Sequence, residues 1–176
     1  IAASTELRED QFAFNIIAAP GYPELIDDMV GLNNDRANTA FIIGDTPMTL
    51  APNAVAITNW SNNTNGDGLS TADPYLGVYY PSAQSSDVRG NTVVVPPSHI
   101  MLRTFIRNDS VSFPWFAPAG LTRGVVTNAA NVGYLNSEGE FIPVALTNGQ
   151  RDTLYGDGSR VGINPIARFP GQGLFV

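Results

Sequence analysis

Short apolar runs, each closed by proline, glycine or asparagine, organise this chain. Phe12-Ala13-Phe14-Asn15-Ile16-Ile17-Ala18-Ala19 is almost continuously apolar and stops at Pro20-Gly21. That is the pattern of a strand buried on both faces, as in a parallel sheet. A helix signature follows, with Pro23 near the first position and Glu24, Asp27 and Asp28 in the early turns. Proline suits the start of a helix and carboxylates favour its positive end. Leu25, Ile26, Met29, Val30 and Leu32 make the apolar stripe, and Asn33-Asn34-Asp35 ends it. Ala40-Phe41-Ile42-Ile43-Gly44-Asp45 then reads as a second buried strand. Strand, helix and strand in this order predict a βαβ unit with a right-handed crossover.

The rest of the pattern is less regular. A second helix is expected between Thr49 and Trp60, beginning near Ala51-Pro52, with Val55, Ile57 and Trp60 apolar. Residues 61–74 are polar and rich in asparagine and glycine, which marks an exposed loop. Leu76-Gly77-Val78-Tyr79-Tyr80 is a third strand, residues 81–91 a second loop, and residues 92–95 a short strand. Pro96-Pro97-Ser98 opens the strongest helix, expected to run to about Asn108. Ile100, Met101, Leu102, Phe105 and Ile106 supply its apolar positions, while Arg103 and Arg107 share another face at i, i+4 spacing. Gly124-Val125-Val126 is a small strand, and residues 132–146 alternate loosely around a hairpin turn near Gly139. Thr147-Asn148-Gly149-Gln150 has capping-box spacing and predicts a short helix through Tyr155. Residues 161–166 and 174–176 are the last strands, split by Phe169-Pro170-Gly171. The expected fold class is mixed α/β (α+β): a sheet with flanking helices, containing a βαβ unit, in one domain over residues 1–176.

Composition narrows the chemistry. The 176 residues suit one domain, and 43% are hydrophobic, but only 14% are charged, against roughly 25% in ordinary soluble domains. All nine basic residues are arginine; there is one histidine and no cysteine. A disulfide framework, a thiolate nucleophile, a Cys-based metal site, a P-loop and a Schiff-base lysine are therefore excluded. One histidine cannot build a multi-histidine metal site. A net charge of −7 argues against a nucleic-acid surface, which needs clustered Lys and Arg. No apolar run reaches the ~18 residues that span a bilayer. Neither end carries a signal pattern, and both look cut, so the chain is expected to be an internal fragment.

Candidate sites are few. Asn63-Thr64-Asn65-Gly66-Asp67-Gly68 resembles the opening of a calcium loop but has Pro74 where the bidentate acid belongs. The glycine-rich stretch 156–162 has its third glycine one place late for a phosphate loop. Ser98 and His99 are adjacent on a helix, so their side chains diverge; Ser98 is expected to cap the helix and His99 to lie at the surface or an interface. No acid pair stands out as a general acid/base couple. Arg103, Arg107, Arg123 and Arg151, with Trp115 in the loop Trp115-Phe116-Ala117-Pro118-Ala119-Gly120, are the candidate inter-subunit contacts, because arginine suits fixed pairing across packed surfaces. No enzyme activity, cofactor or metal is expected.

Several segments, in order from about Phe12 to Val176, resemble the contractile tail sheath proteins of T-even-like myovirus bacteriophages. They are Phe14–Asp27, Gly44-Asp45-Thr46-Pro47, Leu76–Pro81, Val95-Pro96-Pro97-Ser98-His99, Trp115–Gly120 with Arg123-Gly124, Arg151–Tyr155, Ile163-Asn164-Pro165-Ile166 and Phe169-Pro170-Gly171-Gln172-Gly173. The resemblance implies a sheath core domain whose terminal arms are absent. It implies a homo-oligomer of helical rings around a tail tube protein, contacting baseplate and tail terminator, without nucleic acid or membrane insertion. Such a sheath is part of the virion, assembled in the host cytoplasm, and contracts to drive the tube through the host envelope for genome ejection. Two alternatives follow: a sheath subunit of a non-viral contractile injection machine (tailocin or type VI secretion), or a hydrolase or sugar-binding virion domain using loop 61–74.

Overall fold

The computed structural model describes residues 1–176 apart from residues 2, 10, 114, 157 and 159–161. The predicted βαβ unit is present: β1 (Ile16–Ala18), α1 (Ile26–Asp35, led in by a 3-10 turn, Pro23–Leu25) and β2 (Phe41–Asp45), with β1 and β2 parallel and Ile17 opposite Ile42. Helix α2 (Ala54–Ser61) and β3 (Leu76–Tyr80) follow, then β4 (Ser82–Ser86), β5 (Thr92–Val95), α3 (Pro97–Val111) and α4 (Gly120–Arg123). The last part holds β6 (Val125–Val126), β7 (Asn131–Leu135), β8 (Phe141–Pro143), α5 (Asn148–Tyr155), β9 (Ile163–Pro165), β10 (Ala167–Phe169) and β11 (Gly173–Phe175). The architecture is mixed α/β, but the expected sheet is three: a parallel sheet β1-β2-β3-β9 and two antiparallel ones, β5-β4-β7-β8 and β10-β11-β6.

The parallel sheet is buried on both faces, which is why its strands read as continuous apolar runs. Ile17, Ile42, Val78, Tyr80 and Ile163 face one way, where α1, α2 and α5 cover them with Met29, Val30, Ile57, Trp60 and Leu154. Ile43 and Tyr79 face the other way, under Ile100 and Met101 of α3. Fully buried side chains of this size each contribute about 1.5–3 kcal/mol. Phe105 of α3 stacks on Phe41 with ring centres 5.4 Å apart and meets the Tyr79 ring edge-on at 6.5 Å.

Three departures from the expected elements have local causes. Residues 81–91, read as a loop, contain β4, which joins β5 and β7 through backbone hydrogen bonds. Its sequence Ser-Ala-Gln-Ser-Ser carries no β-branched or aromatic residue, so pairing on both edges, rather than propensity, makes it a strand. Helix α2 starts at Ala54 because the Asn53 side chain accepts a hydrogen bond from the Ala56 N–H at 2.8 Å. Only Ile16 to Ala18 of the first apolar run is strand, and Phe12 and Ala13 are exposed. By contrast, α5 carries the predicted capping box, with Thr147 and Gln150 bonding reciprocally.

Candidate functional site

Helix α3 and the loop after it carry a run of exposed apolar side chains. Ile106, Val111 and Phe113 lie exposed along the end of the helix, and Trp115 beyond them is 75% exposed. The Phe113 and Trp115 rings stack at 4.8 Å, only 5° from parallel, and Phe116 leans against both. Two contacts fix this shelf to the domain. The Asn108 side-chain amide donates to the Phe116 carbonyl at 2.8 Å, and the Arg123 guanidinium lies 4.4 Å above the Phe116 ring, a contact worth about 0.5–1 kcal/mol at a partly exposed site. Between shelf and parallel sheet runs a groove of about 380 Å³, lined by Phe41, Phe105, Trp115 and Phe116.

The five candidate contact residues divide over this surface and a second one. Arg103 is exposed and Arg107 half-buried on α3; Arg123 and Trp115 meet through Phe116. Among the described residues the only ion pair is Arg8 with Asp35, so none of these arginines has a carboxylate partner. Arg151 stands elsewhere, on α5, where it donates to the Leu146 carbonyl at 3.2 Å and to the Asn148 side chain, and covers the Phe169 ring at 5.4 Å. It lines a second groove of about 560 Å³ with Leu121, Tyr155 and Phe175.

Ser98 does not cap α3; Pro96 holds that position, with Pro97 as first residue. Its role is inverted. Asp45, at the end of β2 and 2% exposed, accepts the Ser98 N–H at 2.6 Å and the Ser98 hydroxyl at 2.8 Å, and accepts the Gly21 N–H at 2.7 Å. One carboxylate thus ties the end of β2, the loop after β1 and the start of α3. Burial pushes its pKa above the ordinary value, against the pull of these hydrogen bonds. Sequence reasoning missed Asp45; its only signal is an acid closing a buried strand. His99, beside Ser98, is exposed.

The N-terminal segment is held by a similar clasp. Arg36 donates to the carbonyls of Leu7, Glu9 and Phe12 at 2.8–3.2 Å and lies 4.2 Å over the Phe14 ring. The calcium-like loop closes on itself instead: the Asn63 side chain accepts the Gly68 N–H at 2.9 Å. Among the described residues no group of three His, Asp or Glu side chains gathers as a metal site, and no helix is long and apolar enough to cross a membrane. The glycine-rich stretch 156–162 lies partly outside the described residues.

No family model matches the sequence. Over 68 residues, 39% of this chain, it is 37% identical to the tail sheath protein of Vibrio phage KVP40, a stretch that is 8% of that protein. Its fold matches the helical sheath of the anti-feeding prophage in the contracted state, with a TM-score of 0.56, 22% identity, and coverage of 93% of this chain and 38% of the other. The chain therefore spans well under half of either relative. Motifs, sequence relative and fold converge: the chain has a sheath-protein fold and resembles the contractile tail sheath proteins.

Proposed function

We propose that residues 1–176 form one core domain of a contractile sheath subunit, which polymerises as helical rings around a tail tube and contracts to drive that tube through a host envelope. The observation that carries the reading is the agreement of a phage tail sheath relative in sequence with a contractile sheath in fold. The role is structural and needs no catalytic group: what a contracting polymer requires is interfaces with two discrete packings. Its partners are other sheath subunits, the tube protein, the baseplate and the terminator, and it assembles in the cytoplasm of the host. Arg103, Arg107, Arg123, Arg151 and Trp115 are the proposed inter-subunit contacts. Electron microscopy of the purified full-length protein tests this: tubes or rings of sheath-like diameter are expected, and their absence under all assembly conditions sinks the reading.

One observation favours a second version. The fold match is to the sheath of an anti-feeding prophage, so a non-viral injection machine is the alternative setting. Genes for a DNA-filled head beside the coding sequence indicate a phage; their absence indicates the other.

A further inference from the structure

The groove beneath the shelf is lined, besides its rings, by two polar residues of α3, Asn108 and Asp109. Asn108 is 2% exposed. Its amide nitrogen donates to the Phe116 carbonyl, while its Oδ1 is buried and meets no donor. Acceptors buried without a donor are costly, and native proteins ordinarily supply one. The Asp109 carboxylate is exposed at the same groove, and no cation of the described residues pairs with it. Arg123 lies over the Phe116 ring instead. Aromatic faces, a free carboxylate and an unserved acceptor together suit a guanidinium, which stacks on rings, pairs with carboxylates and carries five N–H donors.

The chain has no lysine, so in a polymer of identical copies that cation is one of nine arginines. Most are engaged at home. Arg8 pairs with Asp35, Arg36 holds three carbonyls, Arg123 covers Phe116, and Arg151 and Arg168 bond carbonyls and asparagine side chains. Arg107 is half-buried, and Arg160 lies outside the described residues. Arg89 and Arg103 remain, exposed and without a partner. Arg103 stands on a helix flank between half-buried Leu102 and buried Thr104. Arg89 stands at the tip of the β4–β5 hairpin, beside Val88, which is fully exposed.

That tip is built in advance. The Asp87 carboxylate accepts the Arg89 and Asn91 N–H groups at 2.8 Å and the Asn91 side-chain amide at 2.9 Å, and Gly90 closes the turn at a φ of 86°. A preformed turn loses little freedom on docking. Because Val88 is uncovered, the tip does not sit in the groove of its own chain.

We infer that the Val88-Arg89 tip of one copy docks in the α3 groove of a second, with Val88 against the Trp115 and Phe105 rings and Arg89 on Asp109, supplying the donor that Asn108 lacks. This rests on the sheath reading, which provides the second copy. Tip and groove are unlike surfaces, and such a contact, repeated from copy to copy, builds a ring or an open helix. The rings supply the anchor, and the charge pair fixes register.

Charge reversal on the full-length protein, followed by sedimentation velocity, tests it. Arg89→Glu leaves tip and groove both acidic, and Asp109→Arg leaves both basic. Each alone is expected to self-associate at least tenfold more weakly than wild type. An equal mixture is expected to recover association, because each tip then meets a groove of opposite charge, and the double variant carrying both changes should recover it within one chain. Trp115→Ala, at a site too exposed to disturb folding, should weaken association at least tenfold with unchanged circular dichroism. Single variants that associate like wild type, a mixture or double variant that stays dissociated, or an unaffected Trp115→Ala overturns the docking, while wild-type tubes keep the sheath reading intact. Wild-type protein that associates through tip and groove but stops at a closed pair sinks the sheath reading and keeps the docking, and wild-type protein that stays monomeric sinks both.

Discussion

Replacing Asp45 separates two effects that burial and hydrogen bonding exert in opposite directions. Its carboxylate serves three donors, the Gly21 N–H, the Ser98 N–H and the Ser98 hydroxyl. Asp45→Ala orphans all three, and at about 1 kcal/mol net per hydrogen bond the loss is about 3 kcal/mol. For a chain of this size that lowers Tm by about 6–12 °C. Asp45→Asn is milder. Its amide oxygen still accepts from Ser98, and the hydroxyl can rotate to accept from the new NH2, leaving one donor unserved at about 1 kcal/mol. The pH dependence is the sharper readout. Because burial raises the folded-state pKa above 3.8, the native protein binds a proton that the unfolded chain has released. Asp45 therefore contributes most below 3.8, and its contribution declines as pH rises through the folded value. Urea unfolding of wild type and Asp45→Asn across the acid range should show the gap between them narrowing as pH rises. A gap that widens instead means the hydrogen bonds outweigh desolvation, and the argument fails.

Other substitutions probe other links. Thr147→Ala removes the capping box of α5 and should cost about 1 kcal/mol, with faster amide exchange confined to the first turn of that helix. Gly68→Ala would place a Cβ 1.9 Å from the Trp60 carbonyl oxygen; the loop must shift, costing about 1–3 kcal/mol, and unchanged stability by urea unfolding would contradict the packing. Arg36→Ala frees the carbonyls of Leu7, Glu9 and Phe12, so limited proteolysis should cut within the first 13 residues well before any cut in the core, whereas wild type resists there.

Where local pattern and tertiary demand agree, the sequence is readable. The run Phe12–Asp45 contains an apolar strand, a proline-and-acid helix start and a second apolar strand, and the same elements stand in the structure with one-residue to four-residue shifts. Thr147–Gln150 is legible because its bonds are internal to four residues. β4 was hidden because nothing in Ser-Ala-Gln-Ser-Ser prefers a strand; its partners are residues 92–95 and 131–133. Serine at a helix start reads as a cap, whereas the partner of Ser98 is Asp45, 53 positions earlier. The surface was half legible. Arg103 and Arg107 at i, i+4 spacing and Trp115 between prolines are visible in the sequence, but the stacking of Phe113 on Trp115 requires the fold.

The order of strands in the parallel sheet bears on timing. β3 is flanked by β2, close before it, and by β9, where Val78 pairs with Ile163 roughly half the chain later. Until β9 emerges from the ribosome, the long edge of β3 stands open, and at about 5–20 residues per second the wait is on the order of ten seconds. Contacts this distant in sequence also slow folding itself. The parallel sheet of a nascent chain therefore stays incomplete until β9 has been made, with the edge of β3 open to wrong pairing in the meantime.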